Sequence, residues 1–185
     1  IIDDALAQGK LVFLNGKEKR FTTAEVKGEF IVYQPEGAKE TTSKKADLYN
    51  VFSIYKDDGT EQVVYKPDTA DGDPSVLEVR DYILGEKFAD STYKKPMNFI
   101  GGVAVGLGSS AAGFYGIPIP LVYTTIIGQF NPKMPKSNTD VIPSEAYIAG
   151  YQRKARNMKI KSSLIGGVIG FGVGITTLVL VLGNE

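Results

Sequence analysis

The chain contains no cysteine, no histidine and no tryptophan. Without cysteine there is no disulfide framework, thiol nucleophile or thiolate metal site. Without histidine the commonest general base and metal ligand are missing. Without tryptophan, any aromatic belt at a membrane surface has to come from tyrosine and phenylalanine. Neither sign of charge is in excess: 21 Lys+Arg stand against 21 Asp+Glu, so net charge names no nucleic-acid partner.

The most informative shortage is local. Charged residues make up 23% of the chain, yet Pro96–Pro132 and Ser162–Asn184 carry none, and both stretches are studded with glycine. The second is close to the ~20 residues that a helix needs to cross a bilayer. The first is too long for one straight span and short for two. The pattern predicts an α+β membrane protein with a soluble front half. Its parts are an N-terminal small β barrel of SH3/Sm-like size, a linker helix, and two or three glycine-rich transmembrane helices. The expected boundaries are a β domain over 1–66, an acidic linker and amphipathic helix over 67–96, and a first membrane segment over 97–132. A basic connecting loop and helix over 133–161 and a second membrane span over 162–185 complete the chain.

Residues 10–66 read as β. Leu11–Leu14 is a short apolar run closed by Asn15-Gly16, a two-residue hairpin signal. Phe21–Val26 alternates weakly, Glu29–Tyr33 is a further strand, and residues 39–45 suit an edge strand. Val51–Tyr55 turns at Asp58-Gly59 into Gln62–Tyr65. Short strands at this spacing suggest a small barrel or curled sheet. Pro67–Pro74 reads as a linker. Ser75 is an N-cap for a helix carrying Val76, Leu77, Val79, Tyr82, Ile83 and Phe88, fading near Asp90-Ser91.

In the first apolar gap, Phe114–Pro120 contains two prolines that break or kink a helix, leaving candidates over Phe99–Gly113 and Leu121–Phe130. The alternatives are one kinked span and a hairpin or re-entrant pair. Asn131–Lys136 is a stop. Pro143-Ser144 opens a helix that runs on into Leu164–Leu182.

Gly166, Gly170 and Gly174 share one helix face, and Gly102, Gly106 and Ser110 repeat the spacing. Such faces let helices approach closely in lipid, and two ridges in one chain invite packing between them. The commonness of glycine in membrane helices is the plainer explanation. Arg153, Lys154, Arg156, Lys159 and Lys161 abut the last span. They suit either contact with lipid headgroups or orientation by the positive-inside rule. With one crossing in the first gap, the β domain lies opposite this basic stretch; with a hairpin, it lies on the same side.

Other motifs carry less. Asp68, Asp71 and Asp73 crowd carboxylates, but their spacing is not that of an EF-hand loop, and linker solubility explains them better. Gly101-Gly102 is not followed by Gly-Lys-Ser/Thr, so no phosphate loop is present. Tyr115, Tyr123, Tyr147 and Tyr151 suit interface anchors or ordinary packing equally. Neither apolar gap holds an ionisable residue, which argues against a proton-coupled transporter.

The order of Leu14-Asn15-Gly16-Lys17-Glu18, Asp58-Gly59-Thr60-Glu61, Tyr82-Ile83-Leu84-Gly85-Glu86, Phe99-Ile100-Gly101-Gly102, Asn131-Pro132-Lys133 and Gly150-Tyr151-Gln152-Arg153-Lys154-Ala155-Arg156 spans most of the chain. This ordered set resembles a group of uncharacterised envelope proteins of Bacteroidota-type bacteria. The resemblance implies a small β domain followed by membrane helices, usually after a cleaved signal peptide, and assigns no activity or functional residue. The start at Ile1 is compatible with such cleavage, which would place the β domain in the periplasm after a single crossing.

The expectation for function is a non-catalytic accessory or structural subunit of a larger bacterial envelope membrane complex. Inner and outer membrane both remain open. The glycine faces would dock helices and the β domain would contact a partner. No catalytic residue, cofactor, metal, nucleic acid or small-molecule substrate is expected. The alternative is a small self-assembling channel or pore, for which the lack of charge makes selectivity hard to explain.

Overall fold

Asn15-Gly16 turns the chain where the sequence places its first hairpin. In the computed structural model, which describes residues 5–39, 41–68, 70–94, 96–135 and 143–182, Gly16 sits at φ +70°. That conformation is open to glycine with no Cβ penalty. The Phe13 amide donates to the Lys17 carbonyl at 2.9 Å, and the Lys17 amide to Asn15 Oδ1 at 3.1 Å. The turn joins β2 (Gly9–Phe13) to β3 (Glu18–Lys27).

Seven strands among the described residues form one antiparallel sheet in the order β5-β4-β3-β2-β6-β7, with β1 also paired to β3. The remaining strands are β1 (Ala5–Leu6), β4 (Phe30–Pro35), β5 (Lys44–Asp47), β6 (Val51–Lys56) and β7 (Glu61–Val63). The long β3 pairs with both β1 and β2 along one edge, and its pairing with β4 shifts register between Phe21 and Thr23. A register irregularity of this kind bends a strand and increases its twist. Gly9 fits the resulting curl: a Cβ there would collide with the Tyr55 carbonyl.

The expected barrel is corrected to an open sheet. Alternation reports which side chains face inward, and that is the same for a barrel and for a curled sheet. Closure requires the terminal strands to pair, and no ladder joins β5 to β7 among the described residues. Curling nevertheless encloses one face. Leu11, Phe21, Ile31, Val51 and Ile54 are each at 0% exposure in a cluster built from the sheet and its turns. The other face buries Val12 and Phe52 under Val79 and Ile83 of α1 (Val76–Thr92). The edge strand anticipated at 39–45 forms later, at Lys44–Asp47, and Glu40 lies outside the described residues.

The acidic linker is a folded loop. The Asp68 amide donates to Asp73 Oδ2 at 3.0 Å, the Ala70 amide to Asp68 Oδ1 at 2.9 Å, and Tyr65 Oη to the Pro74 carbonyl at 2.8 Å. α1 then starts on a reciprocal cap. The Glu78 amide donates to Ser75 Oγ at 3.3 Å, and the Ser75 amide to the Glu78 carboxylate at 2.8 Å. Leu77, counted among the apolar positions of this helix, points outward instead.

Three more helices follow: α2 (Pro96–Ser110), α3 (Ile119–Gly128) and α4 (Glu145–Leu182). The predicted break between α2 and α3 is a 3-10 turn at Gly113–Gly116. By its contacts the chain divides into two units. The sheet unit runs up to Leu84 and takes in Ser144–Tyr147; the helical unit holds the rest. Thr69, Lys95, residues 136–142 and 183–185 lie outside the described residues, as do the ends of the stop sequence and of the last apolar stretch that fall there.

Candidate functional site

α4 begins on Ser144, whose hydroxyl accepts from the Tyr147 amide at 3.2 Å and donates to Asp81 at 2.6 Å. The helix has 38 residues, about 57 Å at the usual rise. Among the described residues it is the one helix long and apolar enough to cross a membrane. Only 22% of its most apolar window is buried.

The glycine faces meet. A Cβ on Gly102 would enter the Ser163 carbonyl, and one on Gly106 the Gly167 carbonyl. In return, a Cβ on Gly166 would enter the Phe99 carbonyl, on Gly170 the Val103 carbonyl, and on Gly174 the Ser110 hydroxyl. Rising numbers on α2 meet rising numbers on α4, so these two helices run parallel. Each glycine faces main-chain oxygen or a small side chain across the seam, the arrangement that lets dispersion and weak Cα–H···O contacts hold helices in lipid. Ser163 also donates to the Asn98 carbonyl at 3.0 Å.

α3 folds back along both. Gly101 lies against Tyr123 and Gly116 against Ser109, so α2 and α3 are antiparallel. Gly167 of α4 lies against Pro120, and Gly128 of α3 against Ile160. The first apolar gap is therefore a helical hairpin whose two ends lie at one level of α4. Lys159 donates to the Phe130 carbonyl at 3.4 Å at that level.

Ser109, Ser110 and Thr124 are buried, whereas Thr125, Thr176 and Thr177 are exposed. The hydroxyls of Ser109, Ser110, Thr124, Thr125, Thr176 and Thr177 each donate to a carbonyl of their own helix. Apolar side chains are turned outward. Phe114 and Tyr115 at the hairpin tip are 81% and 85% exposed, and Val168, Val173 and Val179 on α4 are similarly open.

The basic residues separate into different surroundings. Lys154 pairs with Asp90 at 2.7 Å. Lys159 is partly buried over the Phe130 ring, whereas Arg153, Arg156 and Lys161 are exposed. Tyr151 is a core residue, 1% exposed among Ala89, Ala155 and Phe88.

No protein-family model, curated protein or solved structure matches the chain.

Three further residues contribute beyond those the sequence pattern singles out. Ser163 and Gly167 supply the carbonyls that face Gly102 and Gly106, and their four-residue spacing was a usable signal. Arg80 of α1 pairs with Glu61 of β7 at 2.7 Å, a contact between residues distant in sequence that no local pattern announces. In the sheet unit, Leu6, Thr23, Glu25, Val32 and Gln34 line an open groove of about 520 Å³. Among the described residues no group of three or more carboxylates is arranged to hold a metal.

Proposed function

We propose that the chain is a membrane-integrated, non-catalytic accessory subunit of a larger bacterial envelope complex. In this reading α4 is its span and α2–α3 a hairpin docked on it. The observation that carries the reading is the inverted surface of the helical unit, with glycine and serine at its seams and large apolar side chains outside. Such a surface suits lipid or another apolar partner. In the sheet unit, β5 ends the sheet order, and its outer edge offers main-chain groups to an added strand. The resemblance to envelope proteins points the same way.

The hairpin supports one sidedness over the other. Both of its ends lie near the basic stretch, which favours placing the β domain on the basic side rather than in the periplasm. In an inner membrane that side is the cytoplasm. Arg156 and Lys161 then face the headgroup region.

The test is purification of the tagged protein in mild detergent with mass spectrometry of what accompanies it. A stoichiometric larger membrane protein supports the proposal. A homo-oligomer without one overturns it and favours the pore alternative.

A further inference from the structure

The hairpin and α4 do not reach equally far. Counted along α4 from Lys161, its last basic residue, Gly174 lies about 20 Å away and Leu182 about 31 Å away. The second distance matches the hydrocarbon thickness of a bilayer, about 30 Å. α2 ends at Ser110, level with Gly174, and α3 descends from the level of Gly167 to that of Ile160. Three helices therefore fill the layer next to the basic end. Beyond Gly174, α4 continues with Val179, Leu180, Val181 and Leu182 all exposed.

We propose that the helical unit is a wedge in the lipid bilayer, and that it draws the chain to membranes whose convex leaflet is the one at its basic end. The inference rests on the membrane-integrated reading above. Each helix with its side chains is about 10 Å across, so two extra helices that stop short of the far side widen the basic side of the bilayer more than the other. Lipid packs around that asymmetry at least cost where the wider side lies on the convex surface. The occupant of the exposed faces is acyl chain, because the outward threonines Thr125, Thr176 and Thr177 each bond a carbonyl of their own helix and leave an apolar surface around them.

The absence of cysteine makes the test direct. The full chain carrying Ser43→Cys is reconstituted in giant vesicles of phosphatidylethanolamine and phosphatidylglycerol, then labelled from outside with a membrane-impermeant maleimide dye. Only molecules with the sheet unit outward become visible. Leu182→Cys reports the opposite orientation. Thin tubes are then pulled from the vesicles. The expected result is enrichment of the Ser43-labelled population in the tube by about twofold or more, with depletion of the Leu182-labelled population. Gly106→Leu, which forces the hairpin off α4, should abolish the enrichment. Equal dye density on tube and flat membrane in both orientations, with the chain inserted, overturns the wedge alone. A chain that stays outside the lipid overturns the membrane reading and the wedge with it.

Discussion

In the sheet unit Leu11, Phe21 and Ile31 are fully enclosed, while the lysines and glutamates of β3 face water. In the helical unit the seam glycines lie inside with Ser109, Ser110 and Ser163, and Val179, Leu180 and Phe114 lie outside. The same chain thus uses two opposite rules for what is buried. The first is driven by removing apolar surface from water. In the proposed lipid setting the second gains nothing from that and depends on how closely backbones approach. The difference teaches that a hydrophobic residue stabilises the first unit by its size, whereas a glycine stabilises the second by having none.

The largest expected effect comes from size in the sheet unit. Phe21→Ala should cost about 3–5 kcal/mol in denaturant unfolding followed through the strand signal, whereas Val179→Ala, on an exposed face, should be close to neutral. If the two cost the same, the contrast between the units fails. Next comes the glycine seam. Gly170→Ala should cost about 1–3 kcal/mol, because its Cβ meets the Val103 backbone. Gly172→Ala, with open space around it, should instead gain up to about 1 kcal/mol from helix propensity. Tryptic cleavage at Lys94 and Lys133, which flank the hairpin, reads the first change as faster cutting and the second as none.

A smaller effect is expected at the start of α1. Ser75→Ala removes one half of the reciprocal cap and should lower stability by about 1 kcal/mol, seen as a lower unfolding midpoint without a changed slope. The smallest is a pH effect confined to the sheet unit. Burial would raise the Glu61 pKa, but Ser53, Arg80 and Tyr55 around it outweigh burial and hold it below the ordinary value. A carboxyl depressed in the folded state lends stability that is fully present above its unfolded pKa, about 4.3. That stability drains away as pH falls through the lower folded value. Glu61→Gln should therefore flatten the acid limb of the stability curve below about pH 4 and lower stability at neutral pH. An unchanged acid limb would show that the Arg80 pair contributes nothing measurable.

Local signals were legible where one short segment decides the outcome. The Asn15-Gly16 and Asp58-Gly59 turns, the Ser75 cap, the break before α3 and the run of α4 through Ser144 into Leu182 all follow from chemistry within a few residues. The Ser75–Glu78 reciprocity was also present in the sequence, three residues apart. Sheet closure was not legible, because inward alternation is common to barrels and curled sheets. Of the tyrosines, only the fold shows that Tyr151 is enclosed by Ala89 and Phe88, residues far from it along the chain. The basic stretch read as one patch, yet Lys154 is engaged by Asp90 while Arg156 is left outward, a division set by which face of α4 meets α1.

The sequence by itself determined the two uncharged stretches, the four-residue glycine spacing and the turn and cap positions, because each depends on side chains adjacent in the chain. Tertiary structure decided that the sheet stays open and that α2 runs parallel to α4. It also decided that the first apolar gap turns back short of the depth α4 reaches. Those outcomes depend on which distant carbonyl each glycine meets and which strand edges find partners, and no local pattern carries that information.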